Sequence, residues 1–172
     1  MNKKKGELYI AYGSNLNVEQ MAFRCPDAMK MGTTIIENYK LNFRGTSRGS
    51  GVANIERCKG STVPVGIWYI SKSDEENLDM YEGFPRLYQK YRLIFPYGSK
   101  KYSGIVYIMR PGHMIMEPSY WYENTIREGY KDFGIDPKLL DRAIANCRTE
   151  KKTDEDWRIY YSMNNNWAGY RI

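Results

Sequence analysis

The sequence predicts an α+β domain, and three observations carry that reading. Apolar or alternating segments of strand length fill the first two-thirds of the chain. The last third carries apolar residues at helical spacing instead. No repeat, low-complexity linker or composition break divides the 172 residues, a length suited to one domain with a sizeable core. Strands followed by segregated helices are the α+β pattern.

The first strand is expected at 8–12, Leu-Tyr-Ile-Ala-Tyr. It stops at a tight Gly13-Ser14-Asn15 turn and enters a helix over 18–24, with Asn17 as cap, Gln20 completing a capping box and Cys25-Pro26 ending it. Residues 39–44 alternate apolar and polar, as a half-buried strand does. Residues 52–56 form a short apolar piece after Gly49-Ser50-Gly51, and 63–70 a stronger strand in which Pro64 and Gly66 suggest an edge or a bulge. Ser73 with Glu76 matches the S-x-x-E capping box of a short helix that Gly83 is placed to end. Residues 91–95 and 102–109 read as two strands joined by a Pro96-Tyr97-Gly98-Ser99 turn. Ser119 caps a helix striped by Tyr122, Ile126, Tyr130 and Phe133. Asp136-Pro137 opens another, with Leu139, Leu140, Ala143, Ile144 and Cys147 on one side. The segment 151–172 holds Trp157, Tyr160, Tyr161, Trp167 and Tyr170, an aromatic-rich C-terminal extension of the single domain expected to pack back over its body.

Composition narrows the function classes. With 42% hydrophobic and 27% charged residues the chain is expected to be globular and soluble, not disordered. No apolar run approaches the length of a membrane helix, so no membrane partner is expected. The start Met1-Asn2-Lys3-Lys4-Lys5 is basic, but a signal peptide needs a longer apolar core than 8–11, and a cytoplasmic location follows as the expectation. Three separated cysteines, Cys25, Cys58 and Cys147, with no C-x-x-C spacing argue against a disulfide framework and a structural zinc site. One histidine and no paired cysteines leave a transition metal without ligands, so neither metal nor other cofactor is expected. The formal net charge of +6 favours acidic ligands, but the basic residues are scattered and no dense block interleaves with aromatics. A nucleic-acid partner is therefore not expected. The oligomeric state is not legible.

Two places carry chemistry. The turn after the first strand exposes backbone N–H groups where an anionic group can sit, though a turn with no ligand reads equally well from the residues. It is neither a Walker loop nor a G-x-S-x-G elbow. Ser14 is a nucleophile only beside a base, and His113, in an Arg-Pro-Gly-His turn, reads as a surface residue. The second place is Glu82, in the last turn of the Ser73-capped helix on the same face as Leu78. There the helix dipole, the neighbouring charge of Asp79 and partial burial beside Leu78 and Tyr81 all push a carboxyl pKa upward. Such a group suits general acid–base work near neutral pH. A solvated surface glutamate is the plainer alternative. Among the 16 tyrosines, most of them core residues, Tyr88 is placed to share a pocket with Glu82; Tyr107 and Tyr122 are weaker candidates.

Taken together, Tyr12-Gly13-Ser14-Asn15-Leu16 and the run Leu78-Asp79-Met80-Tyr81-Glu82-Gly83-Phe84-Pro85-Arg86-Leu87-Tyr88 resemble the signature loop and the catalytic segment of the γ-glutamylcyclotransferase-like, or AIG2-like, family. Gly51-Val52-Ala53-Asn54-Ile55, the strand at 63–70 and the late-helix residues Pro118-Ser119, Tyr122, Ile126 and Gly129 resemble the family too. The resemblance covers roughly residues 6–147 of a single domain. It implies a small mixed β-barrel of five or six strands flanked by helices. It also implies cyclotransfer on a small-molecule γ-glutamyl substrate, giving 5-oxoproline and a free amine or amino acid, with Glu82 as general acid and base. The loop Tyr12, Gly13, Ser14, Asn15 and Leu16 would hold the γ-glutamyl head. A family tyrosine maps onto Tyr88, or onto Tyr91 if the spacing shifts, and another onto Tyr122. The segment beyond about residue 151 has no counterpart, and the run 84–88 looks closer to the branch acting on γ-glutamyl amines or unusual conjugates. A non-catalytic small-molecule-binding protein of the same fold and an RNA-binding protein are the rival readings.

Overall fold

The computed structural model describes residues 6–47 and 49–164, the last nine of them for their backbone only. Five strands, β1 (Glu7–Ala11), β2 (Met29–Gly45), β3 (Gly51–Ile70), β4 (Tyr88–Tyr97) and β5 (Lys100–Met109), form one mixed sheet in the order β2-β3-β1-β5-β4. All pairings are antiparallel except β1 with β5, which run parallel at Tyr9 and Ile105. The helices are α1 (Val18–Arg24), α2 (Lys72–Glu82), α3 (Tyr120–Asp132) and α4 (Lys138–Asn164). Together they give the α+β architecture the sequence predicts.

The sheet curls without closing. Its two edges, β2 and β4, meet through side chains: the Tyr97 hydroxyl donates to Met31 O at 2.7 Å and Thr34 Oγ1 donates to Pro96 O. No backbone ladder joins them among the described residues, so "barrel" describes the curvature only.

Several elements are longer than expected. The segments 52–56 and 63–70 are parts of one strand, β3, and 39–44 is the inner end of a 17-residue β2 whose outer half is largely exposed. That outer half lacks a clean alternation because neither face is fully covered. β4 continues through Pro96 and Tyr97, leaving Gly98-Ser99 as the turn. Asn17 does cap α1, its side chain accepting from Gln20 N at 2.9 Å, but the Gln20 side chain accepts from Arg24 instead of completing the box. The cap of α2 is Ser71, not Ser73, and its partner is Asp74, not Glu76. Both pairs fit S-x-x-acid; Ser71 prevails because it directly follows β3, where fully buried Asp74 accepts from both Ser71 N and Asp27 N.

Helices α3 and α4 cover the core with Ile126, Tyr130, Phe133, Leu140, Ile144 and Cys147. Leu139 departs from its expected face and is partly exposed. Cys25 and Cys147 are buried and Cys58 half-buried, all as free thiols. Trp157, Tyr160 and Tyr161 lie where side chains are not described, and Trp167 and Tyr170 lie outside the described residues. Among the described residues no helix is long and apolar enough to cross a membrane.

Candidate active site

The site is built where β1 ends. Tyr9 in β1 and Tyr12 just after it are both buried, and the chain then folds into a short 3-10 turn, Ser14–Leu16. Gly13 is required by space: a Cβ there would stand 2.9 Å from the Ala53 Cβ and 3.3 Å from the Tyr122 hydroxyl. Two contacts pin the turn from behind. Trp68 Nε1 donates to Asn15 O at 2.9 Å, and α3 closes on the turn at Gly129, where a Cβ would meet Leu16 and Asn17 at 2.6 Å.

The carboxyl arrives from the other direction. Glu82 is the last residue of α2, and Gly83 ends the helix in the left-handed conformation, φ 64°. A β-substituted residue is strained at that angle, so glycine allows the chain to leave α2 just after Glu82. Asn15 Nδ2 donates to Glu82 Oε1 at 2.9 Å and to the Tyr9 hydroxyl at 2.8 Å. The other end of the same amide, Oδ1, accepts from Arg24 Nη1 at 2.6 Å. Arg24 lies flat on the Tyr81 ring, 3.7 Å from its centroid, and also donates to Ser14 Oγ at 3.3 Å. The amide is thereby oriented: oxygen toward the cation, NH2 toward the carboxylate.

Burial pushes the Glu82 pKa up to about 7, and nearby Arg24 and the Asn15 hydrogen bond moderate that rise. One side of the residue opens on the cavity, yet enclosing protein removes most of the water that would stabilise its charge. The direction agrees with the sequence reading, and of the three causes expected there burial is the one that raises it. Asp79 does not act on Glu82; it accepts from the Tyr107 hydroxyl at 2.6 Å and pairs with Lys90 at 2.8 Å.

Glu82, Tyr12, Gly13, Ser14, Asn15, Tyr88 and Tyr122 line one cavity of about 350 Å³. Tyr88 donates to Ala53 O at 2.7 Å, Tyr122 accepts from Ala53 N at 3.1 Å, and Tyr12 donates to Tyr107 O at 2.6 Å. Burial raises all three hydroxyls above the ordinary tyrosine range, so they stay neutral. Leu16 is not on the wall; its fully buried side chain anchors the turn in the core. Tyr91, the alternative to Tyr88, lines a different cavity, as does His113. Ser14 meets the guanidinium of Arg24 and, at 3.5 Å, the Tyr81 hydroxyl, and neither is a base that would make it a nucleophile.

Of the turn amides, Leu16 N is taken by Gly13 O and Asn17 N by Ser14 O, both at 3.0 Å. Those of Ser14 and Asn15 have no acceptor among the described residues. The site thus combines a carboxyl poised near neutrality, two unengaged amides and a wall of neutral phenols. No cluster of metal-ligating side chains occurs among the described residues. Sequence reasoning passed over Tyr9 and Arg24. For Arg24 the only local signal was a cation in the last turn of a short helix, nine residues after Asn15.

Comparison with known proteins follows the same lines. A family model described as gamma-glutamyl cyclotransferase, AIG2-like, matches residues 9–124. Over 83 residues the chain is 36% identical to gamma-glutamylcyclotransferase of Homo sapiens, an alignment spanning 44% of each protein. A solved structure titled gamma-glutamyl cyclotransferase superposes with a TM-score of 0.74 at 26% identity, covering 81% of this chain and 86% of that one. YkqA from Bacillus subtilis shares the fold at 18% identity, with a TM-score of 0.68 over 84% of this chain and 55% of its own.

Proposed function

The chain belongs to the AIG2-like gamma-glutamyl cyclotransferase family, and from that premise we propose that it converts a γ-glutamyl compound into 5-oxoproline and a free amine or amino acid, with Glu82 as the general acid and base. The observation that carries this reading is the enclosed Glu82 carboxyl, poised near neutrality and facing the Gly13–Asn15 turn across one cavity.

The substrate's α-amine attacks its own γ-carbonyl carbon. A C–N bond forms within the ring, and the C–N bond to the leaving group breaks. Intramolecular attack has a large proximity advantage once the glutamyl chain is folded. Two proton problems remain, since the amine must lose one and the departing nitrogen must gain one. Glu82 takes the proton from the attacking amine and returns it to the leaving nitrogen, ending as it began. A carboxyl with a pKa of about 7 is present in both forms near neutrality, which serves both halves. The Ser14 and Asn15 amides would bind the substrate α-carboxylate or the oxygen that gains charge as the carbonyl is attacked. Asn15 keeps the carboxyl aimed into the cavity, and the neutral tyrosines shape the walls.

The test is Glu82→Gln, which keeps shape and the Asn15 contact. A panel of γ-glutamyl amino acids and amines is incubated with both proteins, and 5-oxoproline is followed by mass spectrometry. The variant should fold and bind substrate but lose turnover by about a thousandfold. Unchanged release would reject Glu82 as the acid–base group. Binding without release by the wild type would favour the non-catalytic alternative.

A further inference from the structure

We propose that the protein carries a second ligand site, independent of the cyclotransferase reading, for a small polyanion bearing phosphate or carboxylate groups. A separate cavity of about 540 Å³ opens among β2, β3, β4, β5 and the turn that follows β5. Four arginines reach it from four segments distant in sequence: Arg44, Arg57, Arg92 and Arg110. Their scatter along the chain hides this convergence, which exists only in the folded molecule.

The four are not equivalent. Glu56 holds Arg44 in a two-point pair at 2.6 and 2.9 Å, and Glu7 takes Arg92. Arg57 and Arg110 have no carboxylate partner among the described residues. Arg57 is nonetheless positioned, its guanidinium carbon 4.7 Å from the centroid of the buried Tyr39 ring. The ring contact holds the guanidinium in place without an ion pair. Guanidinium N–H donors bind phosphate or carboxylate oxygens in pairs.

Electrostatics point the same way. With Arg44 and Arg92 each matched by a carboxylate, Arg57 and Arg110 leave the concave wall with an excess of positive charge that a bound anion would offset. The cavity size suits a small molecule rather than a polymer strand. Tyr91 and Leu93 on its wall add apolar contact for a ligand body. Each described lining holds one carboxylate, Glu56 here and Glu82 in the other cavity, but the Glu82 cavity has no arginine on its wall.

Calorimetric titration of the full chain at low salt tests the proposal, with pyrophosphate as the phosphate probe and citrate as the carboxylate probe. At least one should bind at one site per chain. The double variant Arg57→Gln/Arg110→Gln should weaken that binding by roughly tenfold or more, with thermal stability and 5-oxoproline release unchanged. Should the double variant fail to fold, Arg110→Gln alone, just past the end of β5 on an exposed position, carries the same test with a smaller loss. Binding of neither probe, or equal binding by the variant, overturns the proposal. So does tight binding of a mixed-sequence RNA oligonucleotide with neither small anion bound.

Discussion

Asp79 and Glu82 leave the same end of α2 less than one turn apart, yet their surroundings have little in common. Around Asp79 the protein supplies compensation: the Lys90 ammonium at 2.8 Å and the Tyr107 hydroxyl at 2.6 Å. Around Glu82 it supplies enclosure, one amide N–H from Asn15 and the guanidinium of Arg24, which bonds the other end of that amide. The first carboxylate is a structural ion tying α2 to β4 and β5. The second is held where ionisation is costly, and its pKa rises to about 7. Two acids three residues apart on one helix differ because their surroundings differ: one is paired, the other enclosed.

The sharpest way to break this comparison is to neutralise each acid in turn. Glu82→Gln should cost about a thousandfold in 5-oxoproline release, whereas Asp79→Asn should leave turnover within about threefold. Asp79→Asn should instead lower stability by about 1 kcal/mol, read from denaturant midpoints, as the Lys90 pair and the Tyr107 bond weaken. Equal losses of turnover would mean that the acids work as a unit.

Next in size is the turn that faces only Glu82. Gly13→Val drives a side chain into Ala53 and Tyr122 and should displace the turn amides, lowering kcat/KM by about a hundredfold. Unchanged kinetics would remove the turn from the site. The smallest effect concerns the enclosure itself. In the proposed mechanism Glu82 is ionised in the free enzyme to accept a proton, so kcat/KM should fall as pH drops below about 7. Arg24 lowers the Glu82 pKa, so Arg24→Met should raise it and move that limb to higher pH by roughly half a unit to one unit. A limb that stays in place would show that the cation is too well screened to matter.

Much of the framework was legible because it depends on near neighbours. Asn17 capping α1 and Gly83 ending α2 are contacts spanning a few residues, and the apolar stripe through Ile126 and Tyr130 reports one packed face. The choice between Ser71 and Ser73 was not legible, since both stand three residues before an acid and only the junction with β3 and the Asp27 amide separates them. The outer half of β2 was missed because an exposed edge imposes no alternation. Within the site, the turn and Glu82 were legible as types. Leu16 read as a binding residue from its place in the motif, although its side chain belongs to the core.

By itself the sequence determined the fold class, the order of its elements and the two segments that meet at the candidate site, since periodicity, caps and turn residues act over a few positions. Only the tertiary structure decided that 67 residues of separation close to a 2.9 Å hydrogen bond between Asn15 and Glu82. It also decided that burial rather than Asp79 sets the Glu82 pKa, and that arginines scattered over four segments share one cavity. Desolvation and charge convergence depend on what surrounds a group in space, and that neighbourhood comes from chain segments no local pattern connects.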